Sequence, residues 1–241
     1  FLYQYYKVKE VPLRTRLIAY SAKIADLGAY APRLFNFLNQ SSAMKKFLRI
    51  SQKRPTPQLS LNSFRSWFRT HPQEALSKKV YLFVDELSKN YDSNLLIKAV
   101  KLLNKLGYVV MCPDHDESGR AAFSKGFLDH ARTCAERNVE VFSRLVDDES
   151  PLIGIEPSTL LCFRDEYIDI LRDDLKKQAQ KLSKNAFLLD QFLAKNSSKL
   201  TQQLFTDKSQ RIDVHVHCFQ KSLAQASTLA TALSIPRNYS V

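Results

Sequence analysis

From Lys79 onward, apolar residues fall into short unbroken runs separated by helical stripes. Val80–Val84 is continuous and apolar, as expected of a strand buried on both faces of a parallel sheet. Asp92-Ser93 offers a helix cap ahead of Leu95, Leu96, Ala99, Leu102 and Leu103, and Gly107 closes that helix. Tyr108–Cys112 predicts a second strand, followed by a loop over Pro113–Arg120 and a helix over Ser124–Leu145. Leu152–Ile155 predicts a third strand that ends at Glu156-Pro157. Helical pieces follow at Asp165–Leu171, Leu175–Leu182 and Phe187–Ala194. Ile212–Val216 predicts a fourth strand and Ser222–Leu233 a last helix. Strands that alternate with helices imply right-handed crossovers, so the expected class is α/β, a Rossmann-like parallel sheet of βα repeats.

Upstream the pattern is helical without strands. Leu17, Ile18, Ile24 and Leu27 form a stripe that Gly28 ends, and Pro32 suits the first position of the next helix. Met44–Ile50 reads as a further short helix, Arg54–Pro57 as extended chain, and Ser63–Phe68 as a short apolar-aromatic piece. The expected organisation is a helical connector over 1–78 and an α/β domain over 79–241.

Charge sharpens that division. Up to Thr70, thirteen Lys or Arg stand against two acids, Glu10 and Asp26, so nearly all of the net charge of +12 lies there. The basic residues are interleaved with Tyr, Phe and Trp. Such a segment can dock on an acidic domain of the same protein, lie on an anionic membrane surface, or bind nucleic acid. Nucleic acid ranks last because no readout motif accompanies the charge. With 44% apolar residues in 241, a core can form. No apolar stretch nears the roughly 18–20 residues needed to span a bilayer, and no signal-peptide pattern opens the chain. The expectation is a cytoplasmic domain of a longer protein, with the inner-membrane surface as an alternative berth.

In open parallel sheets, ligands sit beyond the carboxyl ends of the strands. That rule nominates four loops: Asp85-Glu86, Asp114–Arg120, Glu156–Ser158 and His217-Cys218. In the second, His115 and its acidic neighbours could suggest a metal site, but their spacing fits no ligand template. A solvated turn, with Asp116 or Glu117 paired to Arg120, is favoured. In the fourth, His215 and His217 would share one face of a strand, with Cys218 at its end and Lys221 near enough to lower a thiol pKa; by composition alone, two satisfied strand histidines and a buried thiol are favoured. Cys112, Cys134 and Cys162 read as buried structural thiols. The chain has only five glycines and lacks a phosphate loop, a nucleophile elbow and a zinc-protease helix, so a self-contained nucleotide-dependent enzyme is not expected.

A family resemblance runs through these loops. It is carried by Leu82–Glu86, Leu106–Val110, Ser118-Gly119-Arg120, Ser124–Leu128, Gly154–Ser158, Phe163–Tyr167 and His215–Lys221. In that order the chain resembles the C-terminal cysteine-rich domain of bacterial FAD-linked oxidases fused to iron–sulfur modules, related to the iron–sulfur subunits of glycolate oxidase and anaerobic glycerol-3-phosphate dehydrogenase. The resemblance implies two pseudo-repeated halves whose Cys-Cys-Gly motifs can ligate a [4Fe–4S] cluster. Here Glu117-Ser118-Gly119 stands where the first motif would fall, and Thr159 stands where a cysteine often follows Glu156-Pro157-Ser158. With Arg120, these form a degenerate first site without thiolates. Cys218 matches the cysteine after His in the second half, with partners implied beyond Val241. His215, His217 and Lys221 would then tune a cluster from outside its ligand shell.

The resemblance therefore implies an electron-transfer module of an oxidoreductase acting on a 2-hydroxy acid such as lactate or glycolate. No cluster is expected in this chain; FAD and [4Fe–4S] belong to the parent protein, and upstream ferredoxin-like and FAD domains are the partners. The alternative is a metal-free docking domain that uses its basic arm.

Overall fold

The computed structural model describes residues 1–73 and 77–241. Residues 74–76, inside the expected connector, lie outside that description. The N-terminal segment is helical: α1 Leu2–Val8, α2 Leu13–Ala19, α3 Ser21–Gly28, α4 Pro32–Gln40, α5 Ser42–Phe47 and α6 Phe64–Thr70. Pro32 takes the first turn of α4, where its missing N–H costs nothing, and Ser41 caps α5 by accepting from the Met44 amide.

The remainder is mixed α/β. β1 Lys78–Leu82 leads to α7 Glu86–Tyr91 and α8 Ser93–Lys105, then β2 Tyr108–Met111. α9 Arg120–Lys125 and α10 Leu128–Phe142 precede β3 Leu152–Gly154. α11 Pro157–Leu160, α12 Glu166–Ile170 and α13 Asp173–Ser183 lead to β4 Ala186–Leu188 and α14 Leu189–Asn196. The chain closes through β5 Gln210–Arg211, α15 Cys218–Leu223, α16 Ser227–Leu233 and β6 Tyr239–Ser240. The main sheet is parallel, in the order β2-β1-β3-β4.

The period-two geometry of strands divides the core into two layers. Val80 and Leu82 of β1 point to one side with Ile153 of β3, against Leu96, Val100 and Leu103 of α8. Tyr81 and Phe83 point to the other side with Leu152, against Phe142 of α10 and Tyr167 of α12. Burial on both faces explains why these strands read as unbroken apolar runs.

The basic segment packs on this unit. Phe64 of α6 is buried beside Val80 and Leu82, a contribution of about 1.5–3 kcal/mol. Asp26 of α3 pairs with Lys89 at 2.7 Å and accepts from the Asn90 amide at 2.9 Å. Tyr3 donates its hydroxyl to Asp129 at 3.1 Å, and the Tyr20 ring stacks on His130 with centroids 4.8 Å apart.

Three expectations are corrected. The fourth strand of the main sheet is β4, inside the stretch read as helical, and Ile212–Val216 has no regular structure. The helix expected over Ser124–Leu145 is two helices, because Gly126 at φ +77° caps α9 in the left-handed region. The expected last helix also breaks in two, at Ala224, which is extended.

Gly119, at φ +72°, turns the loop into α9. A Cβ there would lie 3.2 Å from the Ala131 backbone. Gly119→Ala therefore combines strain with a contact to rigid helix backbone, and should destabilise by about 1–3 kcal/mol in urea unfolding. A loss under a few tenths would show that the turn relaxes.

Candidate functional site

At the carboxyl end of β1, Asp85 caps α7 through one oxygen, which accepts from the Leu87 and Ser88 amides at 3.0 and 2.8 Å. Its other oxygen, Oδ2, has no hydrogen-bond partner among the described residues. Glu86 turns inward and accepts from the Ser118 amide at 3.0 Å and the Ser118 hydroxyl at 2.5 Å. Burial pushes both carboxyls up, Asp85 to about 6 and Glu86 to about 7, against the lowering effect of the Ser88 and Ser118 hydrogen bonds. Glu86 is therefore protonated over part of the neutral range.

Ser118 is held from the other side as well. Its carbonyl accepts from the Tyr167 hydroxyl at 2.9 Å, and that hydroxyl accepts from the Asn138 amide at 2.9 Å. Asn138 also donates to the Glu117 carbonyl and accepts from the Asp116 amide, both at 2.9 Å. One fully buried asparagine on α10 thus anchors the whole loop after β2. No motif in the sequence marked Asn138 or Tyr167 for this.

After β3, Glu156 caps α11: its carboxylate accepts from the Thr159 amide at 2.8 Å and the Ser158 hydroxyl at 2.6 Å. Arg120 pairs with Glu166 and lies 4.4 Å from the centre of the Phe219 ring, while His217 Nε2 stands 3.9 Å from Glu156. The loops after β1, β2 and β3 and the 217–219 turn therefore meet around Arg120. The larger clefts lie elsewhere, one of about 560 Å³ beside Lys78, Tyr108 and Pro151 at the opposite edge of the sheet.

Two sequence readings need correction here. Arg120 pairs with Glu166, not with Asp116 or Glu117, because α9 carries its side chain away from them toward α12. The loop is not a solvated turn either. His115 sits against the Phe83 ring at 4.6 Å, donates from Nδ1 to the Asp116 carbonyl at 2.7 Å and accepts from the Val84 amide through Nε2 at 3.1 Å. Burial drops its pKa to about 4. It is a neutral core group with both nitrogens occupied.

Glu117 instead meets His130 of α10, 3.1 Å from Nε2, and His130 Nδ1 is 4.0 Å from Cys134 Sγ. The available signal was the spacing of His130 and Cys134, four residues apart on one helical face.

The thiols divide by environment. Cys134 and Cys162 are fully buried, and Cys162 donates to the Ser158 carbonyl at 3.2 Å. Burial pushes Cys112 and Cys162 up to about 12, and Cys134 higher still. Cys218 is exposed at the start of α15, 4.0 Å from His217 Nδ1, which accepts from the Phe219 amide. His215 and Lys221 are exposed. Because Ile212–Val216 is not a sheet strand, no pleat aligns His215 with His217. The donor set does not fit a [4Fe–4S] cluster among the described residues. The loop tips present Asp85, Glu86, Ser118 and Thr159, and Cys218 is the one exposed thiol.

Known proteins share part of this sequence. Over 185 residues, 71% of its length, the chain is 30% identical to D-2-hydroxyglutarate dehydrogenase of Pantoea ananatis (strain AJ13355). It is 28% identical over 184 residues to D-2-hydroxyglutarate dehydrogenase of Escherichia coli (strain K12). The chain is similar to dehydrogenases. It spans 18% of the length of each of these relatives. One subunit of the anaerobic glycerol-3-phosphate dehydrogenase of Escherichia coli (strain K12) is 32% identical over 133 residues, 54% of this chain and 34% of that one. No protein-family model matches the chain, and no solved structure does. No helix of the described residues is long and apolar enough to cross a membrane.

Proposed function

We propose that this chain is a C-terminal electron-transfer module of a flavin- and iron–sulfur-dependent oxidoreductase that acts on a 2-hydroxy acid. The observation that carries the reading is the similarity, over 185 and 133 residues, to a dehydrogenase of a 2-hydroxy acid and to a subunit of another dehydrogenase. In this reading the sheet is the Rossmann-like core of a cysteine-rich domain whose first half has lost its thiolates. Glu86, Ser118, Glu156 and Thr159 then hold the old ligand loops in shape by hydrogen bonds. FAD and the substrate belong to upstream domains of the same polypeptide, and a ferredoxin-like domain lies between. Cys218 contributes one thiolate to a cluster completed by cysteines outside these residues, with His215, His217 and Lys221 around it. The flavin would take the hydride equivalent and the clusters would carry single electrons onward. This chain's own residues contribute placement and charge.

The test is iron and acid-labile sulfide in the anaerobically purified full-length protein. Cys218→Ser should remove one cluster's worth of iron; unchanged iron sinks the assignment of Cys218.

One observation favours a second reading, a metal-free docking domain. Tyr30 in the turn before α4, Phe37 of α4 and Phe47 of α5 are 89%, 74% and 68% exposed, in a segment that also carries Arg33, Lys46 and Arg49. Such an apolar and cationic surface suits an acidic neighbouring domain or an anionic membrane. An iron content that is equal in the protein with and without this chain would favour docking.

A further inference from the structure

Glu117, His130 and Cys134 bring a carboxylate, an imidazole and a thiol to one point. One ligand atom from each lies within 4.8 Å of the others. Two elements supply them: Glu117 comes from the loop that Asn138 anchors, and His130 and Cys134 sit one turn apart on α10. The His130 ring is fixed in plane by its stack on Tyr20.

As hydrogen bonding alone, the arrangement is poorly satisfied. The side chains of Glu117 and His130 are 6% and 11% exposed, and Cys134 is fully buried. Yet Glu117 Oε2 has no hydrogen-bond partner among the described residues. An unpartnered buried carboxylate oxygen carries a large desolvation cost, which a cation at that point would remove. In a tetrahedral zinc site neighbouring ligand atoms lie about 3.3–3.8 Å apart, so side-chain movements on the order of 1 Å would close the set. A cavity of about 80 Å³, lined by Lys23, Arg65, Lys89, Glu86, Asp116 and Glu117 among others, adjoins the carboxylate.

We propose that Glu117, His130 and Cys134 bind one divalent transition-metal ion, with zinc best suited to the mixed oxygen, nitrogen and sulfur set. Three protein ligands leave a fourth position for water from the cavity, the ligand count of an open zinc site. The ion would clamp the loop after β2 onto α10, in addition to the Asn138 bonds. This site shares no residue with the Cys218 assignment and does not depend on the electron-transfer reading.

The experiment is titration of the metal-stripped full chain with cobalt(II), followed by competition with zinc(II). One equivalent of cobalt should produce a thiolate charge-transfer band and tetrahedral visible bands that zinc abolishes. Cys134→Ser should remove the charge-transfer band. Because that change sits in the core, Glu117→Gln provides the independent check: it keeps the side chain's shape and should weaken zinc binding by more than about tenfold. Cys112→Ser should leave both bands intact. A chain that takes up no cobalt at millimolar concentration, or a band that survives both Cys134→Ser and Glu117→Gln, overturns the site. Iron content in the Cys218→Ser protein is read separately, so either proposal can fail without the other.

Discussion

Asn138→Ala should cost the fold about 3–5 kcal/mol. The side chain is wholly buried and serves the Asp116 amide, the Glu117 carbonyl and the Tyr167 hydroxyl together. Removing it strands three polar groups in a space that water enters poorly, each at a penalty of about 1–3 kcal/mol, with partial relief by relaxation. The cavity left behind adds to the loss. Urea unfolding of the two proteins measures the difference directly. A change below about 1 kcal/mol would mean that the loop after β2 finds other partners.

Glu86→Gln should act in the opposite direction, and only above acidic pH. The folded-state pKa of Glu86 is raised from 4.5 to about 7, so between those values the folded chain holds a proton that the unfolded chain has lost. This contribution is fully present below pH 4.5 and is lost as pH rises to 7, a total of about 3 kcal/mol. Glutamine imitates the protonated acid: its carbonyl can accept from the Ser118 amide and its NH2 can donate to the Ser118 hydroxyl. The variant should therefore match the parent near pH 4.5 and exceed it by about 2–3 kcal/mol at pH 8. Asp85, raised to about 6, slopes the same way and remains in both proteins. His115, lowered to about 4, slopes the opposite way between 4 and 6.5 and also remains in both. The difference between the two curves isolates Glu86. An offset that is the same at both pH values would show that Glu86 does not titrate in this interval.

β1 was legible because burial on both faces leaves no polar interruption in Val80–Val84, and the edge strand β2 because Tyr108–Cys112 is apolar throughout although Met111 is exposed. β4 was not, because Ala186–Leu188 is three residues long and runs straight into the apolar residues of α14. Over so short a run, strand and helix periodicities cannot be separated. Ile212–Val216 has strand-like residues, but Val214 is 37% exposed and the main sheet does not reach it. Its neighbours β5 and β6 pair only over two residues each.

The placement of the first three loops followed from sheet topology alone, since the carboxyl ends of parallel strands share an edge; the 217–219 turn follows no strand of that sheet. Which side chains would touch across that edge did not follow. His115 drew attention because acids surround it in sequence, yet the Phe83 ring and the Val84 amide hold it inside. His130 went unremarked and Cys134 was read as a buried structural thiol, because a histidine and a cysteine on an apolar helix face look like ordinary core, and Glu117 reaches them only once the loop has folded back. Local pattern reports which residues are buried; contacts between distant segments decide what the buried groups face.

The tie between Tyr3 and Asp129 joins residues 126 apart in sequence, and α1 buries none of its own residues. A contact of that span is expected to form late, since closing so long a loop is costly until its far end is fixed. The same helix is then the first to leave. Its departure leaves the sheet and both core layers intact, so α1 is expected to exchange its amide protons before the strands do.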